Sequence, residues 1–107
     1  MEIKCNNGSS YSFEGPLMLK DIKNTSGIYA IIDHRFNGKF YLLDVGESGE
    51  LQKRLTTHDR KDQWEKKQQG YIEFYIHYTP YITKEDRLQI EHGIRAYYGN
   101  ENLCGER

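Results

Sequence analysis

Four residues carry side chains that can work on a phosphodiester: Tyr29, Arg54, His58 and Glu91. A phenol hydrogen-bonded to an attacking water can take its proton, provided its neighbours lower its pKa. A guanidinium offers a planar fork to phosphate oxygens, and an imidazole donates or relays a proton near neutral pH. A carboxylate can hold a divalent ion, because Mg²⁺ takes one or two carboxylates and completes its shell with water and substrate phosphate. Each residue also has a plain alternative. Tyr29 is one of nine tyrosines and can pack in a core. Arg54 and His58 can be two surface side chains. Glu91 has Arg87 at i−4 and Arg95 at i+4, the spacing of an ordinary salt bridge.

The elements that must position these groups are read from periodicity and turn residues. Residues 28–33 are β-branched and aromatic, which predicts a strand. Asn37-Gly38 turns the chain, and 40–45 returns as a strand apolar enough to sit centrally in a sheet. Gly46-Glu47-Ser48-Gly49 reads as a loop whose glycines permit tight turns and close approach of a substrate backbone, making Gly46 and Ser48 candidate contacts. A helix over 50–58 buries Leu51 and Leu55 and stacks Arg54 beside His58 on one face. A second helix, 61–68, carries Trp64, which anchors it to the core or stacks on a base. A strand follows over 71–78 and stops at Pro80. Thr83 opens the last helix with Asp86 as its partner, and Ile90, Ile94 and Tyr97 form the inward stripe before Gly99. At the other end, 2–14 predicts a hairpin about Asn7-Gly8, and Pro16 opens a helical turn over 17–22. Asp44 ends an apolar strand, where it caps the Gly46 loop, bonds to the helix of Arg54, or helps to bind a metal.

The order is α+β: a small central antiparallel three-stranded sheet flanked by helices, with an N-terminal β-hairpin. At 107 residues it is expected to be a single domain, 1–107, with 1–15 as the hairpin extension and 26–102 as the core. The mean hydropathy of −0.87 is low, but nine tyrosines bury large rings while keeping their hydroxyls bonded. The chain lacks both a membrane-length apolar run and the apolar core of a signal peptide after Met1-Glu2-Ile3-Lys4, so a cytoplasmic location is expected. Cys5 and Cys104, without a CxxC pair, read as two reduced thiols. Net charge is −1, yet 52–68 holds six Lys/Arg against three acids, leaving that segment at +3 and the remainder at −4. Its Lys53, Arg60 and Lys61 are candidate phosphate contacts, although a charged stretch of this kind also serves as a solvated helix face.

Gly27-Ile28-Tyr29, then Val45-Gly46-Glu47-Ser48, Leu51, Arg54-Leu55 and His58, then Glu91 and a late asparagine, resemble the GIY-YIG nuclease superfamily over roughly 26–102. The resemblance implies a three-stranded antiparallel sheet flanked by helices and metal-dependent hydrolysis of DNA by activated water, with Mg²⁺ or Mn²⁺. It assigns Tyr29 as the base, Arg54 and His58 to the phosphate, Glu91 to the metal, and Asn102 or Asn100 to the late asparagine. The departure is Asp44, which stands where the second motif has its tyrosine; Tyr41 is three residues earlier, on the opposite face of a regular strand. The alternative expectation is a catalytically silent member of that fold that binds nucleic acid or protein through 52–68.

Overall fold

The computed structural model describes residues 1–105 as an α+β fold of six strands and three helices. The strands are β1 (Glu2–Lys4), β2 (Ser10–Ser12), β3 (Glu14–Leu17), β4 (Gly27–His34), β5 (Phe40–Ser48) and β6 (Tyr71–Tyr78). The helices are α1 (Leu51–Thr56), α2 (Lys61–Lys67) and α3 (Lys84–Tyr98). β1 and β2 form the expected hairpin. The main sheet has four strands in the order β3-β6-β4-β5, all antiparallel.

The fourth strand corrects the helical turn expected over 17–22: only Leu19–Asp21 is a 3₁₀ turn, and 14–17 pairs with β6. Gly15 sets this pairing. A Cβ there would lie 2.7 Å from the Phe74 carbonyl oxygen, so only glycine lets the strands approach. Pro16, which has no N–H to give, is tolerated because β3 is a sheet edge.

β4, not β5, is central. Its residues alternate between two cores, with Ile28, Ala30 and Ile32 on one face and Tyr29 and Ile31 on the other. The first face is covered by Ile94 of α3 and by Ile3 and Phe13 of the hairpin region. Leu51 and Leu55 of α1 and Trp64 of α2 cover the second. β5 is the other edge, and its outer polar groups are met by Cys104 N–H on the Leu43 carbonyl (2.7 Å) and by Arg95 Nη2 on the Val45 carbonyl (2.7 Å), which blunts the edge. β5 also runs on to Ser48, so the expected loop at 46–49 is mostly strand, with Gly46 paired to Tyr29.

The β4–β5 pairing slips once. Ile31 faces Asp44 while Ile32 faces Leu42, making Leu43 the extra residue of a β-bulge. One inserted residue inverts the alternation beyond it, so Tyr41, paired to Asp33, comes to the same sheet face as Asp44. This corrects the opposite-face expectation for Tyr41. It still stands three residues from Asp44, and its ring lies under the Arg35 guanidinium, 3.8 Å from ring centre to Cζ.

α1 stops at Thr56, two residues short of His58. Thr56 and Thr57 turn their hydroxyls onto the Gln52 and Lys53 carbonyls, a local bonding that competes with helix continuation. Glu50 supplies no side-chain cap; instead the Thr25 carbonyl accepts the Leu51 N–H and the Asn24 side chain accepts that of Lys53. α3 opens on Thr83, whose hydroxyl accepts the Asp86 N–H, and ends at Gly99 with φ 86°. Tyr97 is exposed, against expectation; Tyr98 takes the inward place, and its hydroxyl accepts the Lys4 N–H. Cys5 and Cys104 are both free thiols, buried in opposite cores. Among the described residues, no helix is long and apolar enough to cross a membrane.

Candidate active site

The second core face ends in a polar cluster built around the Tyr29 hydroxyl. Tyr29 is only 1% exposed, and His58 Nε2 lies 2.5 Å from its oxygen. His58 Nδ1 accepts the Arg60 backbone N–H at 3.0 Å, so the neutral ring carries its proton on Nε2 and donates it to Tyr29. Arg60 Nη2 donates to the same oxygen at 3.3 Å. With two donors on it, Tyr29 Oη keeps its own O–H for a third partner.

Gly46 is what makes room for this ring. A Cβ at Gly46 would meet Tyr29 Oη and Cζ well inside contact distance. The glycine therefore serves Tyr29 packing. Gly27 is similarly required, because its Cβ would lie 2.6 Å from the His77 carbonyl.

Asp44 is the hub of the cluster. It is fully buried, and its side-chain hydrogen bonds among the described residues run to Arg60, Trp64 and Arg95. Its carboxylate takes Arg60 Nε at 2.8 Å and Nη2 at 3.2 Å, Trp64 Nε1 at 2.7 Å, and Arg95 Nη2 at 2.5 Å. Arg95 continues to the Cys104 carbonyl (2.9 Å) and the Asn100 side-chain oxygen (3.3 Å), and its Nε faces Glu91 at 3.6 Å. Asp44 thus links the Tyr29 partners to the helix that bears Glu91.

Electrostatics set the resting protonation states. Burial, followed by the Asp44 charge, pushes the Tyr29 phenol up to about 12, against the lowering charges of Arg60 and Arg54. This corrects the expectation of a phenol lowered for base work. Burial, followed by Arg54 and Arg60, pushes the His58 imidazole down to about 4, so the ring is neutral and not a cation poised near pH 7. The Asp59 carboxylate lies 3.3 Å from His58 Nδ1 but is 70% exposed and hydrated, and it does not reverse this.

Arg54 and His58 do not stack on one helix face. His58 lies past the end of α1, buried against Trp64, while Arg54 is half-exposed and pairs with Asp59 at 3.0 Å. Glu91 keeps 12% of its side chain exposed beside Arg95. Its expected partner Arg87 instead pairs with Glu47 at 3.0 Å. Among the described residues no three His, Cys, Asp or Glu side chains gather as a metal group. Glu91 could offer at most one hard oxygen ligand, and a Mg²⁺ or Mn²⁺ ion there would need phosphate oxygens and water for the rest of its shell.

The remaining candidate contacts also carry bonds within the fold. Ser48 Oγ accepts the Glu50 N–H, Lys61 Nζ donates to the Thr56 carbonyl, and the backbone N–H of Lys53 is used by the α1 cap while Lys53 itself is exposed. Asn102 donates to the Tyr98 carbonyl at the end of α3, whereas Asn100 touches Arg95. Arg60, a candidate phosphate contact, is a member of the cluster, bonded to Asp44 and Tyr29. Arg95 was missed except as a partner for Glu91, and no pattern in the sequence separates it from a surface arginine on α3. No family model matches the chain, and neither a curated protein nor a solved structure matches it.

Proposed function

We propose that this chain is a small GIY-YIG-like phosphodiesterase that hydrolyses nucleic acid, DNA in the first instance, with Tyr29, Arg54, His58 and Glu91 as its working groups. One observation carries the reading: His58 and Arg60, from the α1–α2 connection, both bond the Tyr29 oxygen of β4, at 2.5 and 3.3 Å, and Asp44 ties Arg60 to Arg95, which faces Glu91 on α3. Convergence of titratable groups with strongly displaced pKa values is typical of functional sites.

Arg54 is the guanidinium free to meet a phosphate oxygen, since its partner Asp59 is exposed and displaceable. His58 and Arg60 hold the Tyr29 ring and oxygen in place, and the ionised Tyr29 oxygen takes a proton from the attacking water. A divalent ion held by Glu91 and the scissile phosphate would supply positive charge to the reacting oxygens. At pH 7 only about 10⁻⁵ of a phenol with this pKa is ionised, so base catalysis by Tyr29 makes the rate rise about tenfold per pH unit through neutrality.

The test is plasmid nicking with Mg²⁺ and Mn²⁺ by wild type, Tyr29→Phe, Arg54→Ala and Glu91→Ala. Metal-dependent nicking by wild type, reduced at least about a hundredfold in each variant, is expected. Wild-type activity retained by Glu91→Ala and Arg54→Ala would reject the assignment. A second reading is favoured by the burial of Tyr29 and by the Asp44 carboxylate in place of a second tyrosine. In it the same fold binds nucleic acid without cutting, and DNA affinity that falls steeply with salt while wild type never nicks would select it.

A further inference from the structure

The end of the sheet away from Gly27 exposes an unusual set of rings. Phe36, Phe40, Tyr41 and Tyr71 all lie there with much of their surface open, Phe40 at 48% and Tyr41 at 37%. Large exposed apolar groups gathered in one place mark an interaction surface. Here they are interleaved with cations. A groove of about 680 Å³ runs along the outer edge of β5, with Phe40, Tyr41, Leu43, Arg35, Lys66 and Lys67 among the residues that line it. No carboxylate lines it among the described residues. The rings are held in advance of any ligand: Phe40 stacks on His34 with centroids 4.3 Å apart, and Tyr41 lies under Arg35. Asp33 offsets the Arg35 charge at 2.9 Å, which leaves the two α2 lysines as the net positive charge.

We propose that this groove binds an unpaired nucleic-acid strand, bases on Phe40 and Tyr41 and phosphates on Lys66 and Lys67. Flat rings accept any base by stacking, and a cationic wall tracks the backbone, a combination suited to single strands. Double-stranded DNA hides its base faces and cannot use the rings. The groove reaches Leu43, and Gly46, opposite Tyr29, lies three residues further on, about 10 Å along the strand. For the chemistry, the inference rests on the nuclease reading and names its substrate: nucleic acid with an unpaired segment beside the cut. The binding itself does not depend on cleavage.

The test is fluorescence anisotropy in EDTA with labelled oligonucleotides of about twelve nucleotides, within the span of one such site: oligo-dT, oligo-rU and a DNA duplex of equal length. Single strands are expected to bind more tightly than duplex. Phe40→Ala and Tyr41→Ala should each weaken binding about fivefold to a hundredfold. Lys66→Glu with Lys67→Glu should weaken it and lower the salt slope by about 1.4. Tyr81→Ala, an exposed ring outside the groove, should change nothing. Preference between dT and rU identifies the sugar, and either result supports the groove. If a ring variant fails to fold, the lysine pair, which carries no core ring, still decides. Duplex bound as tightly as single strand, or affinity unmoved by the ring and lysine variants, would overturn the proposal. Nicking with no groove dependence removes the groove alone; groove-dependent binding with no nicking removes the nuclease alone.

Discussion

His58 shows most directly what the cluster does to a single side chain. Its ring is buried against Trp64 and Tyr29, faces the charges of Arg54 and Arg60, and holds its pKa near 4 despite the Asp44 and Asp59 carboxylates nearby. In the unfolded chain the same imidazole titrates near 6.5. Between these values the unfolded chain binds a proton that the folded ring refuses. Stability contributed by the neutral ring is therefore intact above about pH 6.5 and lost as pH falls toward 4, by about 3 kcal/mol over the full range. Urea unfolding near neutral pH and at about pH 4.5 should show that loss in wild type and a clearly smaller one in His58→Gln, which keeps an N–H for Tyr29 but cannot titrate. Equal losses in the two proteins would mean that His58 is not the acid-sensitive group. For the same reason, cleavage by this site should show no inflection between about pH 6 and 7, where an ordinary histidine would change charge.

Between elements, Asp44 does the joining: from β5 it holds Arg60 and Trp64 at α2 and Arg95 on α3. Asp44→Tyr would restore the motif tyrosine in sequence yet leave Arg60 without its buried counter-charge, Arg95 with only the 3.6 Å contact to Glu91, and an indole N–H without its acceptor. Breaking a buried ion pair in this way costs about 3–5 kcal/mol, and in a domain this small it should lower the Tm by more than about 10 °C. Asp44→Asn, which keeps an acceptor for Trp64, should lose less. The single tryptophan makes its own fluorescence the readout, and an Asp44→Tyr protein as stable as wild type would dismiss the hub. None of this role was legible in the sequence, where Asp44 reads as the end of a strand. What was legible is local: β6 spans 71–78 as its alternation predicts, β4 adds one residue at each end, and Thr83 caps α3. Pairing overrode local signals elsewhere. Gly46 and Ser48 look like turn residues, but β4 holds them in a strand, and Gly15-Pro16 looks like a helix start but completes the sheet. The candidate site was legible as a set of residue types; the bulge at Leu43, the early stop of α1 and the inward path of Arg95, which decide its geometry, are tertiary outcomes.

At the scale of the molecule, the sheet order gives β4 a strand on each side and a core on each face. Tyr29 thus stands on the most enclosed segment of the chain. Its partners His58 and Arg60 come from a short connection after a helix of six residues, tied down by side chains and few backbone bonds. Such segments open locally at a free energy well below that of global unfolding. The cluster therefore joins a fixed phenol to groups that can withdraw from it, and local opening of 57–60 would expose Tyr29 to substrate without disturbing the sheet. Native-state hydrogen exchange reads this difference directly. Amides of 28–33 should exchange only with global unfolding, at the slowest rate in the protein, while those of 57–60 and α1 should exchange through a smaller opening that is insensitive to low denaturant. Exchange of 57–60 as slow as that of β4 would show a cluster locked as one unit, and Tyr29 would then have no route to water short of unfolding the domain.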